Sequence, residues 1–91
     1  MNIRELREEI DRVDEELLRL LNRRARIAVE IGELKRRAGL PVLDPAREQE
    51  VLSRPRANAG GPLGRGAVAR IFRRIVRESR RAQEQAREAK R

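Results

Sequence analysis

The chain has no cysteine, no histidine, no tryptophan and no tyrosine, and Phe72 is its one aromatic residue. Without cysteine, neither a disulfide framework nor a thiolate metal site is available. Without histidine, the commonest general base and metal ligand is missing. No apolar run approaches the roughly 18 residues of a membrane span, and no signal-peptide pattern opens the chain. The expectation is a cytoplasmic protein with no membrane segment and no metal site. A core in these 91 residues has to come from Leu, Ile, Val and Ala, because charged residues take 42% of the chain. Such a core is thin in a single domain of this size, and oligomerisation is one usual remedy.

The net charge is +8, from 23 Lys and Arg against 15 Asp and Glu. One reading of a basic surplus is a nucleic-acid surface. The two signs interleave through the first half, however, and the surplus collects late, in Arg70, Arg73, Arg74, Arg77, Arg80 and Arg81. No aromatic platform interleaves with it, Phe72 being the one aromatic residue. A solvated arginine-rich face is therefore the better reading, and no nucleic acid is expected as a partner.

What is present is a long apolar seam at alternating steps of three and four. One row is Ile3, Ile10, Leu17, Arg24 and Ile31; the other is Leu6, Val13, Leu20, Ile27 and Leu34. This is the period of a helix face. Asn2 is a suitable N-cap with Glu5 at the capping-box position, and Gly39 and Pro41 read as a stop. Helix 1 is predicted over about 2–37, a rod of roughly 50 Å. A compact chain of this length has a radius of gyration near 12 Å, hence a diameter of only about 30 Å. The rod overhangs any globule the chain can form alone, so its seam calls for a second copy.

Asp44 and Pro45 open a second helix, as N-cap and first helical residue, predicted over about 45–54 with Pro55 ending or kinking it. A glycine-rich linker follows over 56–66. Helix 3 is predicted over about 67–89, with Val68, Ile71, Phe72, Ile75, Val76, Ala82 and Ala86 as its apolar face and Ser79 and Gln83 on that same face. No strand-like alternation occurs, so the fold class is all-α, one long, one short and one medium helix in a homodimer.

Arg24 is the one charged member of the seam. A guanidinium keeps its charge and is costly to bury alone, so it either meets a carboxylate of the protein or waits for an anion. Arg7 and Lys35 flank the seam, but about 42 Å of helix separates them. They cannot serve one small ligand from the same chain, whereas an antiparallel partner helix brings Arg7 of one subunit toward Arg24 and Lys35 of the other. Arg47, Glu48, Ser79 and Gln83 complete a cationic set suited to a small dianion, since guanidinium groups clamp carboxylates. With no nucleophile–base pair, a reaction here proceeds by positioning and electrostatic stabilisation. Taken singly, each residue has a structural reading too: register residue, flanking charge, cap or tolerated small polar group.

Together these residues resemble the all-α class of chorismate mutases, in three blocks. They are LREEIDRVDEELLRLLNRRARIAVEIGELK (6–35), PVLDPAREQEVL (41–52), and GPL with ARIFRRIVRESRRAQE (61–63 and 69–84). The family's two arginines and the lysine after IG fall on Arg7, Arg24 and Lys35. Its D-x-x-R-E falls on Asp44, Arg47 and Glu48, and its S-x-x-x-Q on Ser79 and Gln83. The resemblance implies an intertwined homodimer that rearranges chorismate to prephenate in phenylalanine and tyrosine biosynthesis, without a cofactor. It also implies roles. Arg24 and the partner's Arg7 bind the carboxylates. Lys35 and Gln83 donate to the ether oxygen. Glu48, with the backbone near Asp44, holds the ring hydroxyl, and Arg47 and Ser79 support the carboxylate end. The pattern leaves open a fused or docked second enzyme of the aromatic pathway. The alternatives are an isochorismate pyruvate lyase on the same fold and a non-catalytic basic helical interaction module.

Overall fold

A computed structural model describes residues 1–54 and 61–90. Its helices are α1 (Ile3–Arg37), α2 (Pro45–Ser53) and α3 (Arg65–Ala89), and the described residues contain no strand. α1 begins where the Asn2 side chain accepts from the Glu5 amide at 2.9 Å. It ends at Gly39, whose φ of 72° is the left-handed conformation that glycine adopts at little cost. The Gly39 and Leu40 amides turn back onto the Arg36 and Lys35 carbonyls at 3.1 and 2.8 Å, the bonding pattern of a Schellman stop. α2 is capped by Asp44, whose carboxylate accepts from the Arg47 amide at 3.1 Å, with Pro45 in the first turn.

Two helix boundaries differ from expectation. α3 starts at Arg65 rather than near residue 67. Gly64 takes the extended cap position, and the helix absorbs Gly66 because glycine lowers helix propensity without forbidding helix. The expected linker 56–66 therefore loses its last two residues to α3. α2 ends at Ser53, and Arg54 turns to extended backbone at ψ 134°. The proposed kink at Pro55 and linker residues 56–60 lie outside the described residues.

The chain measures 54 × 26 × 14 Å with a radius of gyration of 16.4 Å, well above the ~12 Å of a compact domain of this length. α3 packs along the C-terminal half of α1, and α2 packs on α3. The α1 stripe that meets α3 is not the large apolar seam. It is the small-residue row beside it, where Ala28 and Gly32 are buried. A Cβ placed on Gly32 would meet Cβ and Cγ of Gln83 at 3.4 Å, so α3 passes within van der Waals reach of α1 at this point. Among the described residues, the buried apolar side chains are Ala28, Val51 and Val76, one from each helix. The aliphatic seam, from Ile3 through Ile10 and Leu17 to Leu34, stays exposed along its whole length.

Candidate active site

The three buried core residues also form the floor of a cavity. It has a volume of about 280 Å³ and is lined by side chains of all three helices and the α1–α2 turn. Of the eight residues singled out from the sequence, seven line it: Arg24, Lys35, Asp44, Arg47, Glu48, Ser79 and Gln83. Arg7 does not. It lies on the exposed N-terminal half of α1, about 25 Å of helix away from Arg24.

Local folding explains how each side chain reaches the cavity. Arg24, Ala28 and Lys35 share the α1 face turned toward α3. The Arg24 Nη1 donates to the Ser79 hydroxyl at 2.6 Å. Ser79 is a buried polar residue, so it fixes the guanidinium from beneath. The Lys35 Nζ donates to the Val42 carbonyl at 3.2 Å and stands 3.8 Å from the Asp44 carboxylate. Asp44 therefore caps α2 and faces Lys35 at the same time. An ammonium has three donors, so Lys35 keeps capacity for a ligand. The Gln83 amide donates to the Ala28 carbonyl at 2.7 Å, which uses one of its two N–H groups.

Glu48 is held by Arg80, whose Nη1 donates to its Oε1 at 2.8 Å. Arg47 turns its guanidinium toward Glu50, at 2.9 Å, on the exposed rim. The lining carries four cations (Arg24, Lys35, Arg47 and Arg80) and two carboxylates (Asp44 and Glu48), an excess of two positive charges. Among the described residues, no group of three His, Cys, Asp or Glu side chains could hold a metal ion, and no helix is long and apolar enough to cross a membrane.

Four contributors to the site and its packing escape the sequence reading. Arg80 stands among the solvated arginines in the sequence, although Val76, Arg80 and Gln83 follow a four–three step along one face of α3, a spacing that marks it as inward. The Ala28 and Val42 carbonyls carry no side-chain signature and could not have been found. Gly32 was visible as a lone glycine inside a helix, a position that costs stability and needs a packing reason.

A second cluster lies at the far end of the α1–α3 pair. Glu33 receives Arg36 at 2.7 Å, Arg37 at 3.3 Å and Lys90 at 3.2 Å. The Arg36 hydrogen bond, assisted by that of Lys90, holds the Glu33 carboxyl down at about 2, against an ordinary 4.5. Arg36 is raised in turn, chiefly by the same hydrogen bond. Arg87 donates to the Leu40 carbonyl at 2.9 Å, so the end of α3 is fastened to both α1 and the turn after it.

The helical frame gathers four cations and two carboxylates around a small part-buried cavity. Residues 6–84 match the chorismate mutase type II family, and the chain belongs to it. It is 47% identical over 78 residues to the bifunctional chorismate mutase/prephenate dehydratase of Aquifex aeolicus, covering 81% of this chain and 22% of that protein. The chain thus spans about a fifth of the length of that curated relative. Among solved structures, it superposes on form II of the Thermus thermophilus chorismate mutase with a TM-score of 0.84. The two are 41% identical, over 90% of this chain and 93% of the other. The chorismate mutase of Helicobacter pylori, solved in complex with prephenate, gives a TM-score of 0.82 at 33% identity, over 94% and 93% of the two chains.

Proposed function

We propose that this chain is a chorismate mutase that works as a homodimer, converting chorismate to prephenate in the cytoplasm by electrostatic positioning. The observation that carries the reading is the cavity, with its excess of two positive charges, into which seven separated sequence positions converge. The reaction is unimolecular: the ether C–O bond breaks while a C–C bond forms, and no proton changes hands. A side chain helps by binding the conformer that brings the two ends together and by stabilising the charge that grows on the ether oxygen.

In this reading Arg24, set by Ser79, takes one carboxylate, and Arg7 of a second copy takes the other. Arg47 supports the carboxylate end from the rim. Lys35 and Gln83 donate to the ether oxygen with the donors they have left. Glu48, beside the α2 start at Asp44, accepts from the ring hydroxyl. The second copy is supported by the exposed seam and by an overall thickness of only 14 Å. A fused or docked aromatic-pathway enzyme belongs to the same reading, and the bifunctional Aquifex aeolicus relative supports it. Following the ultraviolet absorbance of chorismate tests the activity. Loss of absorbance with formation of prephenate is expected, and an unchanged spectrum at micromolar enzyme contradicts it.

A further inference from the structure

Glu48 is the cavity's least self-explanatory member, a carboxylate that must stay in place while a dianion enters beside it. It sits in the first turn of α2, a helix of nine residues, on a side chain with several rotatable bonds. Left alone it would be pushed toward solvent by the arriving charge. What holds it comes from another helix. The Arg80 guanidinium on α3 meets Oε1 at 2.8 Å, with both side chains about three-tenths exposed (31% and 27%). Arg80 follows buried Ser79 on α3, and its other ionic neighbour, Glu84, is more distant at 3.9 Å. The pair joins α2 to α3 directly across the cavity wall.

We propose that Arg80 is a positioning residue for the proposed mutase reaction: it orients Glu48 so that its second oxygen accepts from the substrate's ring hydroxyl. The assignment rests on that reading of the site. A carboxylate accepts at both oxygens, so engaging Oε1 leaves Oε2 as the acceptor. Because the hydroxyl is bound alike in ground and transition states, loss of this orientation weakens binding more than turnover.

The test is steady-state kinetics on chorismate for the wild type, Arg80→Gln, Glu48→Gln and the double variant, with helicity and Tm recorded for each. Arg80→Gln is expected to raise KM about tenfold, the scale of one charge-assisted hydrogen bond, while kcat moves less. In the Glu48→Gln background the same substitution should change KM no further, since coupled residues are not additive. Arg80→Lys keeps the charge and should recover most of the loss. If Arg80→Gln does not fold, Arg80→Met carries the cycle in its place. An Arg80→Gln enzyme with wild-type KM, or fully additive losses in the double variant, overturns the assignment while leaving the mutase reading intact. A wild-type chain inert toward chorismate overturns both.

Discussion

Lys35 and Gln83 reach the cavity from different helices, and each is already held by a backbone carbonyl, Val42 for the lysine and Ala28 for the glutamine. Their donors are set before a ligand arrives, as stabilisation of a transient charge requires. Lys35→Ala and Gln83→Ala should therefore lower kcat more than they raise KM. One preorganised donor is worth about 3 kcal/mol, or roughly a hundredfold in rate, and the cationic lysine should count for more than the neutral amide. Gln83→Glu separates the roles further. A glutamate donates only when protonated, so activity should fall near neutral pH and return as the medium is acidified. A flat pH–rate profile would place Gln83 outside the reacting centre. At this scale the sequence was readable wherever a side chain broke a periodic pattern, as Arg24 does in the seam. It was silent where the partner is main chain, and it misled at Arg80, whose charge hid it among solvated neighbours.

The elements carry their own signals, and the turn between α1 and α2 shows how few residues set the site. Gly39 stops α1, and five residues later Asp44 starts α2, so Lys35 and Asp44 face each other across the turn. Asp44→Asn keeps an N-cap acceptor and removes the charge facing Lys35, whereas Asp44→Ala removes both. Thermal unfolding should show the alanine variant about 1 kcal/mol less stable than the asparagine variant. Equal stability would deny Asp44 its capping part. The other end of the α1–α3 pair is pH-sensitive through Glu33. Its folded value of about 2 lies below the ordinary 4.5, so its contribution is complete above 4.5 and is lost as the pH falls toward 2. The Tm difference between wild type and Glu33→Gln should be constant above about pH 5 and should close near pH 2. A difference that persists at the acid end would contradict this origin. Helix type and order followed from caps, proline and period. The start of α3 did not, because Gly64 and Gly66 read as linker when only the first of them stands outside the helix.

On the scale of the molecule, one chain is too thin to enclose what it displays. Among the described residues its core is Ala28, Val51 and Val76, and its seam from Ile3 to Leu34 is open to solvent. The overhanging rod was legible in the sequence from length alone. The small-residue row at Ala28 and Gly32 was not separated from the seam, because Ile27 and Ile31 stand next to those residues and dominate the apolar pattern. With that row occupied by α3, the seam stays exposed; if a second copy covers it, as proposed, sedimentation should give twice the 10.5 kDa chain mass at micromolar concentration. The central claim is that each site is completed across such a dimer by Arg7. Mixing Arg7→Ala with Arg24→Ala subunits tests it most directly. In a heterodimer one site lacks both arginines and the other lacks neither, so random exchange at equal amounts should return about a quarter of the wild-type sites. Recovery toward that level from two nearly inactive variants is the predicted result. No recovery after subunit exchange has been verified would contradict the account and confine both arginines to one chain.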